Sequence, residues 1–234
     1  MIKVLGIGMG LHQITAEVSE ALRGCDYVIA ASKGDDDALL ALRREVCEAY
    51  GLPLVAVPDP QRDREPVGDG GYVTAVAHWH QARVAAYRQV IEERGGTPAF
   101  LVWGDPALYD STIRIVRELD ADYEVYAGIS APQLLAARHR IVLHEVGHPV
   151  LITTQRHLPA AIADGAENIV VMLTSGFSAE GIEDRQIWWG ANLGTPSERL
   201  VSGIVREVAD EIRIAREAAK AEAGWVMDLF LVRA

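Results

Sequence analysis

Residues 100–112 read FLVWGDPALYDST. The apolar run 100–103 has the aromatic and β-branched character of a buried strand, and Gly104-Asp105-Pro106 ends it abruptly. The chain must turn there. Glycine lets a ligand approach the backbone, proline fixes φ, and Asp110-Ser111-Thr112 offers N-cap oxygens to a helix through Leu119. Open α/β sheets bind small molecules outside the carboxyl ends of their strands, so this strand, glycine turn and helix predict a functional site as well as a fold class. The plain alternative is a tight connection that binds nothing.

Outward from this turn the pattern recurs. Residues 2–7 predict a strand, followed by Gly6-Ile7-Gly8-Met9-Gly10 and a helix over 14–23, an arrangement that brings backbone amides close to a ligand at a helix start. Residues 26–31 predict the next strand, which ends at Ala31-Ser32-Lys33-Gly34. A Rossmann dinucleotide site places a carboxylate there to bind ribose; none is present, which disfavours an NAD-dependent oxidoreductase. Leu39, Leu42 and Val46 predict a helix over 35–50, and 53–57 a short strand.

Residues 58–71, PDPQRDREPVGDGG, lack periodicity and predict a long loop. Its Arg62 and Arg64 suit carboxylate binding as bidentate forks, or simple pairing with Asp63 and Glu65. Residues 72–95 carry the longest helical pattern, with Val76, Trp79, Val84, Tyr87 and Ile91 as its stripe and His78, Trp79, His80 and Arg83 clustered along it. Residues 123–126 predict a strand, and Ala127-Gly128-Ile129-Ser130 a second glycine turn into a helix over 132–139. Strands at 150–153, 169–173, 187–189 and 225–232, an extended segment at 198–201, and helices at 159–164 and 206–222 complete the pattern. The organisation is α/β, as two successive units, 1–122 and 123–234.

Composition is that of an ordinary soluble globular protein: 234 residues, half of them apolar and about a quarter charged. The net charge of −11 argues against a general nucleic-acid binder, which needs a basic face. Cys25 and Cys47 lack CxxC spacing and a histidine pair, so buried thiols in a reducing cytoplasm are expected, with no disulfide and no metal site. The opening MIKVLGIGMG enters a strand at once, so no signal peptide is expected, and no apolar run reaches the roughly 20 residues that span a bilayer.

Taken together, LGIGMG at 5–10, LVWGDPALYDST at 101–112, YAGISAPQLLAARHRI at 126–141, VVMLTSG at 170–176, IWWGANLGTPSERLVSG at 187–203 and GWVMD at 224–228 resemble the tetrapyrrole methylase family along essentially the whole chain. The resemblance is strongest to members that methylate a precorrin with loss of acetate in cobalamin biosynthesis. It implies a two-domain fold with S-adenosylmethionine in the interdomain cleft, a precorrin-type tetrapyrrole substrate, and a homodimer; the charge and the lack of a signal peptide or membrane span add the expectation of a cytoplasmic protein without nucleic-acid or membrane partners. By position it implies cofactor contacts at Met9, Trp103, Gly104, Asp105, Leu108, Ser130, Ala131, Met172 and Gly194. Met9 and Ala127 stand where the family usually has proline, and Trp103 where a second glycine is common.

Transfer of an activated methyl needs positioning rather than a protein nucleophile. Release of an acetyl group by water does need a base or polarising donor, for which Tyr109, Asp110 and His80 are the candidates; their structural alternatives are packing, helix capping and burial. Arg62, Arg64, Arg83, Arg138, Arg140 and Arg156 form the pool for substrate carboxylates. Another precorrin C-methyltransferase of the family, or a tetrapyrrole-binding protein without catalysis, fits the same turns.

Overall fold

Strand residues of the N-terminal half alternate between two buried layers. The computed structural model describes residues 1–32, 34, 37–60 and 71–234, and the chain divides into units Met1–Ile129 and Ser130–Ala234. In the first unit, β1 (Ile2–Gly6), β2 (Tyr27–Ser32), β3 (Leu54–Pro58), β4 (Pro98–Val102) and β5 (Tyr123–Tyr126) form a parallel sheet of order β3-β2-β4-β1-β5. A parallel sheet needs helices on both faces. Leu5, Ile7, Val28, Ala99 and Leu101 pack with Val18 and Leu22 of α1 (Ala16–Arg23) and with Val46 and Cys47 of α2 (Ala38–Tyr50). Ile2, Val4, Ile29, Phe100 and Val102 pack with Val84 and Tyr87 of α3 (Gly71–Arg94) and with Ile115 and Val116 of α4 (Thr112–Arg117). Side chains of this size contribute about 1.5–3 kcal/mol each when fully buried.

One consequence is topological. β1 and β4 are neighbours, yet the helices that follow them, α1 and α4, lie on opposite faces of the sheet. The connections diverge there, and a switch point of this kind is where open sheets take their ligands.

The expected boundary at 122/123 comes too early. Tyr123, Glu124, Val125 and Tyr126 pair in parallel with residues 2–5 of β1, so the strand is the edge of the first sheet and the unit ends only after the second glycine turn. Alternating periodicity does not say which sheet a strand joins.

The second unit contains α5 (Ala131–His139), β6 (Val150–Thr154), α6 (Leu158–Ala163), β7 (Asn168–Met172), β8 (Gln186–Ala191), β9 (Arg199–Ile204), α7 (Val205–Ala223) and β10 (Asp228–Arg233). Its sheet runs β6-β7-β10-β8-β9; β6 and β7 are parallel and the other pairs antiparallel. Ile169, Val171, Ile187, Trp189, Phe230 and Val232 form its core with Val205 and Ile212 of α7. The extended segment expected at 198–201 is a full strand paired with β8.

Cys25 and Cys47 are both free and buried, and burial pushes the Cys47 thiol up to about 11, which suppresses the reactive thiolate. Among the described residues no helix is long and apolar enough to cross a membrane.

Candidate active site in the glycine turns

Glycine backbones from three adjacent strands close on one another at the carboxyl edge of the first sheet. A Cβ on Gly128 would stand 2.2 Å from the Gly104 carbonyl oxygen and 2.7 Å from the Gly6 carbonyl carbon. A Cβ on Gly6 would stand 2.5 Å from the Gly128 nitrogen and 2.9 Å from Pro106 Cδ. Only glycine fits either place. Asp105 fastens the contact, accepting from the amides of Ala107 (2.8 Å, Oδ1) and Gly128 (2.9 Å, Oδ2).

The first and central turns are joined directly. Gly8 N–H donates to Gly104 O at 3.2 Å and Gly104 N–H donates to Gly8 O at 2.8 Å, an exchange that needs the left-handed φ of both residues, +57° and +63°. Met9 is buried, and its N–H donates to Oε1 of the buried Gln13 at 2.8 Å. Replacing Gln13 with alanine strands that amide, and a buried donor without a partner costs about 1–3 kcal/mol. We expect a loss of that size on urea denaturation of Gln13→Ala. Wild-type stability would mean that the Met9 amide finds another acceptor.

Leu108 is half-buried, and its N–H donates to Asp105 O at 3.2 Å. Tyr109 has φ +52° and is 45% exposed, an unfavourable backbone state for an aromatic residue that throws the ring outward. Asp110 Oδ1 accepts from Thr112 N–H at 2.6 Å, heading α4 as expected. His80 is half-buried on α3, its ring centre 5.2 Å from that of Trp79. Thus Met9, Trp103, Gly104, Asp105 and Leu108 belong to one set of touching loops, with Tyr109 and Asp110 just beyond.

In the second unit, β7 and β8 are both antiparallel to β10, so their carboxyl ends share an edge with the start of β10. Met172 ends β7, and Gly194 lies in the loop after β8 with φ +79°, its N–H donating to Glu198 Oε2 at 2.5 Å. Asn192 ties that loop down, donating from Nδ2 to Ser197 Oγ (3.0 Å) and accepting from Met227 N–H at Oδ1 (2.9 Å). Ser130 precedes α5 and donates from N (2.9 Å) and Oγ (2.8 Å) to Gln133 Oε1, with Ala131 next to it.

The arginine pool divides. Arg83 is already gripped by Asp59 in a bidentate pair at 2.7 and 2.8 Å and stacks 3.9 Å from the Trp79 ring centre. Arg138 pairs with Glu198 at 3.0 Å, and Arg140 is the left-handed cap of α5. Arg156 lies in a short turn before α6, whereas Arg62 and Arg64, with the expected loop 58–71 from 61 to 70, lie outside the described residues. Sequence reasoning missed Gln13, Arg43 and Asp228. Their signals were a polar residue three after the last glycine of GIGMG, a basic residue on an apolar helical stripe, and an acid opening an apolar strand.

The model for Tetrapyrrole (Corrin/Porphyrin) Methylases matches residues 1–209. The chain belongs to the tetrapyrrole methylase family. It is 40% identical to a precorrin-6A synthase [deacetylating] of Sinorhizobium sp, over 99% of this chain and 94% of that protein. Among solved structures it resembles a cobalamin synthesis related protein, CobF, from Corynebacterium diphtheriae, with TM-score 0.84 and 35% identity over 100% of this chain and 98% of the other. The fold is shared with a uroporphyrin-III C-methyltransferase of Thermus thermophilus solved with S-adenosylhomocysteine, at TM-score 0.61, 16% identity and coverage of 99% and 91%.

As a tetrapyrrole methylase this chain is a methyltransferase, and the family's methyl donor is S-adenosylmethionine. The residues present fit such a cofactor. The turns of the first unit are bare backbone at a switch point, and an added Cβ on Gly10 would meet nothing within 4 Å, leaving the start of the first connection open to a ligand.

Proposed function

We propose that the chain methylates C1 of precorrin-5 with S-adenosylmethionine and releases acetate to give precorrin-6A in aerobic cobalamin biosynthesis, acting as a cytoplasmic homodimer. The observation that carries this reading is the full-length likeness to a relative of that activity, 40% identical across 99% of the chain.

Bound S-adenosylmethionine supplies a methyl already activated by its sulfonium. The chain's task is to hold the ring carbon about 3–3.5 Å from that methyl and in line with the leaving sulfur. In this reading Met9, Trp103, Gly104, Asp105 and Leu108 of the first unit, and Ser130, Ala131, Met172 and Gly194 of the second, are the residues that contact the cofactor. The interlocked glycine turns suit the role because their geometry is fixed before the ligand arrives, so little ordering cost falls on binding.

For acetate release, Tyr109, Asp110 and His80 are the residues assigned to orient or deprotonate water. Asp110 carries a distinct advantage: the Thr112 amide holds one carboxylate oxygen and fixes the direction of the other. Incubation with precorrin-5 and methyl-labelled S-adenosylmethionine tests the whole reading. Label at C1 with stoichiometric acetate supports it. Label at another carbon would assign the chain to a different precorrin C-methylation.

A further inference from the structure

Arg43 lies where two strands of the first sheet part. β2 pairs with β4 only at Tyr27↔Pro98 and Val28↔Ala99, and beyond those positions the two strands are no longer bonded. Arg43, four residues after Leu39 on the apolar stripe of α2, reaches this split. Its Nε donates to the Leu101 carbonyl at 3.1 Å, and its guanidinium carbon lies 4.9 Å from the ring centre of Trp103, the residue immediately before Gly104.

The charges around it do not complete its pairing. Asp37 and Asp110 attract the guanidinium, Tyr87 faces it, and Arg83 repels it, while burial pulls its pKa below the usual arginine value. Among the described residues no carboxylate comes within ion-pair distance of Arg43, and the carboxylate of Asp59 is taken by Arg83. Among the described residues the one hydrogen bond from its five guanidinium N–H donors uses Nε. The Trp103 indole Nε1–H is also buried with no partner among the described residues. Among those residues the stack therefore holds one net positive charge and unused donors of two kinds. Its complement is an anion that accepts hydrogen bonds.

We propose that Arg43, stacked on Trp103, is a carboxylate-binding residue of the active site, one that specifies the acidic character of the ligand. This rests on the function proposed above. Nε is tied to backbone and the guanidinium carbon lies against the indole, so the terminal nitrogens are the fork left to meet a carboxylate bidentately. A lysine reproduces the charge without the fork. The carboxylate belongs either to an acid side chain of the macrocycle or to the methionine end of the cofactor.

Calorimetric titrations of wild type, Arg43→Gln, Arg43→Lys and Trp103→Phe separate these sources. The probes are uroporphyrin III, a water-soluble ester of the same porphyrin, S-adenosylhomocysteine, and methylthioadenosine, which lacks the amino-acid tail. We expect Arg43→Gln to weaken uroporphyrin III about 10- to 100-fold, the range of a lost charge-assisted hydrogen bond, and to leave the ester and both nucleosides unchanged. Arg43→Lys, which preserves the charge should the glutamine variant fold poorly, is expected to recover part of the loss. Trp103→Phe, which keeps the ring and removes the N–H, is expected to lose less.

A fall in S-adenosylhomocysteine affinity alone, with methylthioadenosine unaffected, supports the subsite and assigns it to the cofactor. Equal effects on acid and ester, or no effect on any probe, overturn the subsite and leave the proposed function standing. A wild type that binds neither S-adenosylhomocysteine nor uroporphyrin III overturns both.

Discussion

Gly128→Ala is expected to lower the melting temperature by about 6–12 °C and to weaken S-adenosylhomocysteine at least tenfold. The added methyl would be placed 2.2 Å from the Gly104 carbonyl oxygen and 2.7–2.8 Å from the Gly6 backbone. Both neighbours are main chain, so no flexible side-chain end can move aside. Relief requires β5 to part from β1 or the central turn to move, and overpacking of this kind costs about 1–3 kcal/mol, at the upper end where backbone meets backbone. At roughly 2–4 °C per kcal/mol for a chain of this length, the shift in melting temperature follows.

The loss of cofactor affinity has a separate origin. Gly104 cannot move without breaking its paired hydrogen bonds to Gly8 or the Asp105 carboxylate bond to the Gly128 amide, and these hold the first and central turns in register. Gly176→Ala is the control, since an added Cβ there meets nothing within 4 Å and the residue has no positive φ; its stability should stay within about 0.5 kcal/mol of wild type. If Gly128→Ala matched that control in both thermal scans and calorimetry, the three turns would not form the rigid frame described here.

What could be read from residue order was local. Apolar runs broken by glycine marked the ends of β1 and β4, because a buried parallel strand must be continuous and its exit must be abrupt. The partnership of the glycines was not legible. Gly6, Gly104 and Gly128 are far apart in the chain, and their contact follows from the order β4-β1-β5, which periodicity does not encode. The misplaced domain boundary has the same cause, because the 123–126 strand satisfies its hydrogen bonds on β1 rather than in the sheet that follows it.

Arginines were legible only as a pool. Arg83 and Arg43 look alike in sequence, each a basic residue on an apolar helical stripe. Their difference depends on a distant acid: Asp59 reaches one and not the other. The left-handed backbone of Tyr109 was equally hidden, since nothing in ALYDST signals φ > 0 at an aromatic residue.

Asp228→Asn is expected to destabilise the second unit by about 3–5 kcal/mol, the range found when one partner of a buried ion pair is removed. The Asp228 side chain is 1% exposed. Oδ1 accepts from Thr174 Oγ1 at 2.7 Å, Oδ2 accepts from the Trp189 indole N–H at 3.1 Å, and Arg216 Nε lies 3.2 Å from Oδ2. Trp189 and Arg216 can only donate, whereas the Thr174 hydroxyl can also accept, so an amide of the same shape can place its NH2 on Thr174. What it cannot supply is the negative charge, and the Arg216 guanidinium is left without its buried counter-ion.

The effect extends to the segments carrying Met172 and Gly194 because Thr174 lies two residues beyond Met172, and Met227, next to Asp228, donates to Asn192 in the loop that carries Gly194. Amide hydrogen exchange should show faster exchange in peptides covering 168–174, 186–194 and 224–234, with the first sheet protected as before. Adding Arg216→Met to Asp228→Asn should cost less than the sum of the single losses, because the stranded charge is then gone; coupling of about 1–3 kcal/mol is the expected size for residues in direct contact. Strict additivity would mean that Arg216 and Asp228 act independently, and that the anchoring of the Met172 and Gly194 loops comes from Thr174 and Trp189 alone.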